Sequence, residues 1–76
     1  MQSINADAYG VAALSVVQAL VFKLIEDGEM SKSEAMRIYD TIADAKAAKG
    51  KLHNSSIEID ASLLLRTASA EIDARY

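Results

Sequence analysis

The chain has 76 residues, a formal net charge of −3, no Cys and a single His. That length allows one domain with a modest core, and it leaves no disulfide staple and no thiolates for a zinc site. No basic block is present, which argues against a grip on a phosphate backbone.

With those staples excluded, a chain this small relies on regular helix packing and oligomerisation. The composition favours helix. Pro is absent, Gly occurs three times, and the aromatic residues are Tyr9, Phe22, Tyr39 and Tyr76. A packed sheet would show more β-branched and aromatic residues in alternation. The expected fold is all-α: a three-helix up-down-up bundle in one domain, completed by homodimerisation.

The first helix is expected over residues 7–27. Its start falls near Asn5–Asp7, where Asp7 suits the positive end of the helix dipole. Met1–Ile4 are expected to fray. Gly28 is a natural stop, because glycine enters the left-handed region without penalty. Residues 8–22, "AYGVAALSVVQALVF", form a fifteen-residue uncharged run bracketed by Asp7 and Lys23. A membrane-spanning helix needs about 20 apolar residues. A signal peptide needs a positive n-region, and residues 1–7 hold no Lys or Arg. The chain therefore reads as cytoplasmic, with no membrane role.

The second helix is expected over 32–48. Ser31 and Glu34 form a capping box, and Met30 can pack on Ala35 as a hydrophobic staple. Gly50 is the expected stop, with Lys46, Lys49 and Lys51 complementing the dipole. The third helix is expected over 56–74, opened by a second capping box of Ser55 and Glu58. The short connections make antiparallel neighbours.

Helical spacing sorts the faces. Ala35, Ile38, Tyr39, Ile42 and Ala45 form one stripe of the second helix. The third helix carries a main stripe of Ile57, Ala61, Leu64, Leu65, Ala68 and Ile72. A second apolar row holds Ile59, Leu63, Ala70 and Ala74. On the first helix, Tyr9, Ala13, Val17, Leu20, Val21, Leu24 and Ile25 are expected to fill the core. Val11, Ala12, Ser15, Gln18, Ala19 and Phe22 then form a spare face. Spare apolar faces of this kind mark interaction sites. The expected interface residues are Val11, Ser15, Gln18, Phe22, Ile59 and Leu63, with Arg66 near the seam. Gln18 would bond its symmetry mate and set register. The partner is a second copy or another helical protein, and the role is non-enzymatic, with no cofactor and no metal.

The residues that carry chemistry form no motif. His53 is expected in a loop, without a nucleophile, an orienting carboxylate or a second metal-binding imidazole. Glu26, Asp27 and Glu29 surround Gly28 without the alternating ligands of a calcium loop. They read as a solvated turn. The remaining carboxylates read as surface groups or weak pairs such as Glu71 with Arg75. Residues 20–42 resemble in outline a DNA-binding helix-turn-helix. They combine a helix, a glycine turn and a Ser-capped second helix carrying Lys32 and Arg37. The turn is a residue longer than in that motif, and Asp40 and Asp44 would face phosphates beside Arg37. A small DNA-binding regulator is the alternative expectation.

Overall fold

The computed structural model describes residues 6–76, with side chains from Ala8 onward. Three helices follow one another: α1 (Ala6–Glu26), α2 (Lys32–His53) and α3 (Ser56–Arg75). Among the described residues there is no strand, so the protein is all-α. The N-terminal role expected of Asp7 and the fraying of Met1–Ile4 lie outside the described residues.

Local chemistry explains the ends. Gly28 takes φ +76°. Its amide bonds Ile25 O at 3.0 Å, and the Glu29 amide bonds Leu24 O at 2.9 Å. The carbonyls at the end of α1 are thus satisfied by a left-handed C-terminal turn. At the start of α2, Ser31 accepts from the Glu34 amide at 3.0 Å. At the start of α3, Ser55 accepts from the Glu58 amide at 3.4 Å. Met30 packs against the core cluster that includes Ala35.

Gly50 does not end α2. The helix continues to His53 and is capped by Asn54 in the left-handed region, with φ 51° and ψ 46°. The Asn54 and Ser55 amides both bond Gly50 O. Glycine inside a helix costs about 1 kcal/mol against alanine, so its presence calls for a packing reason. A Cβ placed on Gly50 would lie 2.6 Å from Ile59 Cδ1 and 3.1 Å from the Ile59 amide nitrogen. Gly50 is the notch that receives the first turns of α3.

The α2–α3 pair is the close contact of the molecule. It is antiparallel, and its ion pairs run the length of the seam. Lys32 meets Asp73 at 2.8 Å, Arg66 meets Asp44 at 2.6 Å, and Glu58 lies between Lys46 at 3.3 Å and Lys49 at 3.6 Å. Each exposed pair contributes about 0–1 kcal/mol, yet together they define register. Buried between the two helices are small residues, Ala35, Ala43, Gly50, Ser62, Ala68 and Ser69, with Tyr39 and Ile72 as the large ones. Ile72 is the largest fully buried side chain.

The first helix joins this pair differently. Leu14, Val21, Phe22 and Ile25 pack on the core cluster but stay partly exposed. The whole measures 37 × 37 × 17 Å, with a radius of gyration of 13.8 Å. A compact domain of this length would have a radius of about 11 Å. The molecule is therefore a flat slab rather than a ball.

Candidate interaction surface

The inward side of α1 is the side expected to be spare. Gln18 is only 7% exposed. Its Nε2 donates to Ala68 O at 2.9 Å and to Glu71 Oε2 at 3.2 Å. Both partners are acceptors, so the amide orientation is set by the network. Gln18 Oε1 is buried without a donor. Phe22 lies under the Arg75 guanidinium, 4.3 Å from the ring centroid, and its ring centre is 5.9 Å from that of Tyr76. The Tyr76 hydroxyl bonds Glu26 Oε1 at 2.9 Å and Phe22 O at 3.3 Å.

Three of the expected interface residues are thus used inside the chain: Gln18 and Phe22 against α3, and Ile59 in the Gly50 notch. Arg66 is likewise occupied, by Asp44. Val11, Ser15 and Leu63 are exposed. Ser15 donates to Val11 O at 2.9 Å. Val11 and Ser15 line a groove of about 300 Å³ between α1 and α3, edged by Thr67 and Glu71.

Of the face expected to fill the core, much points outward. Tyr9, Val17 and Leu20 are exposed, Leu20 by 60%, and the neighbouring Val16 by 62%. The inversion has a physical reason. Two polar acceptors on α3, Ala68 O and Glu71, hold Gln18, and a buried amide needs such partners more than a valine needs cover. Choosing Gln18 as the inward residue turns Leu20, nearly opposite on the wheel, to the outside.

The stripe on α2 splits in the same way. Ala35 and Tyr39 are buried, whereas Ile38 and Ile42 are about half exposed. Ile38 and Ile42 line a second cleft of about 280 Å³ with Leu14, Val17, Val21 and Leu65. The floor of this cleft includes Tyr39, whose buried hydroxyl has no partner. Burial pushes the Tyr39 phenol above its ordinary value. On α3, Ile57 and Leu64 also face outward.

Several charged groups have partners within the chain. His53 is exposed at the last turn of α2 rather than in a loop. Glu26 takes Arg75 and Tyr76, Asp27 takes Lys23, and Glu71 takes Gln18 rather than Arg75. Among the described residues, no three His, Asp or Glu gather as a metal site. Residues 8–26 of α1 are long enough and apolar enough to cross a membrane by length and composition.

The signal for the buried Gln18 was its place within an uncharged run; its α3 partners, fifty residues on, leave no mark in the sequence. The structure defines a small all-α protein with apolar clefts beside an underburied first helix. Comparison with protein families, with curated proteins and with solved structures finds no match.

Proposed function

We propose that this chain is a small, non-enzymatic, cytoplasmic interaction module that closes its apolar helix faces by self-association, with three helices in an up-down-up order. The observation that carries the reading is the amount of apolar surface left outside. The accessible surface is 5617 Å². A compact monomer of 8.2 kDa would expose about 4,500 Å². The excess, about 1,100 Å² of polar and apolar surface together, compares with the about 800 Å² that one partner contributes to a standard interface. Exposed Val16, Val17, Leu20, Ile38 and Ile42 supply side chains for it. Burying them in a second copy is the mechanism, through the hydrophobic effect.

The test is mass against concentration, by sedimentation or light scattering. A concentration-dependent dimer or higher oligomer is expected. A single monomer species at tens of micromolar would rule the reading out.

A second reading has one observation in its favour, the apolar length of α1, which could instead lie in a bilayer. Gln18's bonds to α3 would then be lost. Flotation of the protein with lipid vesicles separates the two readings. Of the α2 cations, Lys32 and Lys46 pair with Asp73 and Glu58, which weighs against the DNA-binding alternative, while Arg37 is exposed.

A further inference from the structure

The apolar surface of the slab is not uniform, and one part of it carries a symmetric pattern. On the exposed flank of α2, Glu34, Ile38, Thr41, Ile42, Ala45 and Lys49 share one face at helical spacing. All six are exposed. The six positions are spaced symmetrically about a point between Thr41 and Ile42. Glu34 then stands opposite Lys49, Ile38 opposite Ala45, and Thr41 opposite Ile42. Two antiparallel copies of this stripe would place acid against base at both ends and apolar against small side chains between them.

We infer that two copies pair isologously through this α2 stripe, about a two-fold axis between Thr41 and Ile42, with Val17 and Leu20 of α1 widening the seam on each side. The inference rests on the self-association reading and fixes which face it uses. Three observations favour this face over the α1–α3 groove. The α1–α2 cleft beside the stripe is lined by apolar side chains and Tyr39, whereas the other groove is edged by the polar side chains of Gln18, Thr67, Ser15 and Glu71, which already have partners within the chain. The stripe continues without a charged residue onto Val17, which lines the same cleft as Ile38 and Ile42. The charges at its two ends are complementary under a two-fold, and the isologous symmetry counts each pair twice. Lys49 lies 3.6 Å from Glu58 with much of its side chain in solvent, so it can reach across to Glu34 of a second copy.

The test uses two surface variants of the full chain and their mixture. Glu34→Lys alone sets Lys against Lys49 at both ends of the seam. Lys49→Glu alone sets Glu34 against Glu. Each should weaken dimerisation by roughly tenfold or more. Mixed in equal amounts, the two variants restore both opposite-charge pairs and should form a heterodimer near wild-type affinity. Thr41→Cys gives a reading that does not depend on those charges. The chain has no other Cys, so oxidation should link two copies across the axis. Leu63→Glu, in the other groove region, should leave the mass unchanged. If the wild-type chain is a monomer, the self-association reading itself fails. If the wild type dimerises but mixing restores nothing, Thr41→Cys does not cross-link, or Leu63→Glu dissociates it, the α2 seam is wrong and the reading stands with another face.

Discussion

Where α2 meets α3, the contact is made mostly by alanines, two serines and a glycine, with Tyr39 and Ile72 as its large members, and all of them are buried. Where α1 meets that pair, the contact is made by Leu14, Val21, Phe22 and Ile25, and it leaves them partly exposed. The larger side chains thus form the poorer junction. Small residues let two helices approach closely, and close approach buries backbone and side chain together. Large residues hold α1 off, so the clefts on either side of it remain. Ion pairs reinforce the contrast. Four bridges register α2 on α3, whereas α1 is held to α3 by Gln18, by Glu26 with Arg75, and by the Phe22–Arg75–Tyr76 stack. The hairpin of α2 and α3 is the firm part of the molecule. The first helix is the less completely packed part, and in the self-association proposed above it is the part whose fit a second copy would complete.

The largest effect should come from the centre of the firm junction. Ile72→Ala removes a side chain with 0% exposure and should cost about 3 kcal/mol, read by chemical denaturation. A loss under half of that would mean the hairpin is less tightly packed than α1. Phe22→Glu comes next. It should release α1 from α3, seen as lost amide protection in α1 while α2 and α3 keep theirs. If protection falls equally everywhere, the two junctions are one cooperative unit and the contrast breaks.

Gly50→Ala sharpens the argument about close approach. Alanine gains about 1 kcal/mol of helix propensity, but the clash with Ile59 should outweigh it and leave a net loss of about 1 kcal/mol. With Ile59→Ala present, the same change should become stabilising. Absence of that coupling would mean the notch is not what selects glycine. Gln18 offers a finer comparison. Gln18→Ala should loosen α1 by about 1 kcal/mol. Both changes remove the unpartnered Oε1, and Gln18→Leu should cost less, because its side chain refills the space that alanine leaves empty. Hydrogen exchange in α1 reads both.

The smallest effect concerns pH. Tyr39 and Tyr76 both have phenols raised above the ordinary value, Tyr39 by burial and Tyr76 by its surroundings and the Glu26 hydrogen bond. A raised folded-state value means the unfolded chain ionises first. Stability should be full below about pH 10 and fall as pH climbs from there through the folded values. Tyr39→Phe should remove part of that alkaline slope, and at neutral pH it should be neutral or slightly stabilising, since an unpartnered buried hydroxyl is lost. An unchanged slope would show that Tyr39 is solvated.

Helix class and helix starts were legible because they rest on neighbours in sequence: Ser31 with Glu34, Ser55 with Glu58, and Gly28 after the apolar run. The end of α2 was not. Gly50 looks like a stop by local rules, and only Ile59 arriving from α3 turns it into an interior notch; Asn54, the residue that does cap the helix, is a weaker local signal than glycine. The interface residues divide in the same way. Val11, Ser15 and Leu63 stay at the surface, while Gln18, Phe22 and Ile59 are claimed by contacts from distant parts of the chain.

The sequence by itself determined that this protein is helical and where α2 and α3 begin. Those properties follow from local backbone preferences and from hydrophobic spacing. The tertiary structure alone decided which face of α1 turns inward. The apolar run is nearly uniform around the helix, so its own pattern does not choose a side. The choice falls to Gln18, whose amide must find acceptors once buried, and the acceptors lie on α3.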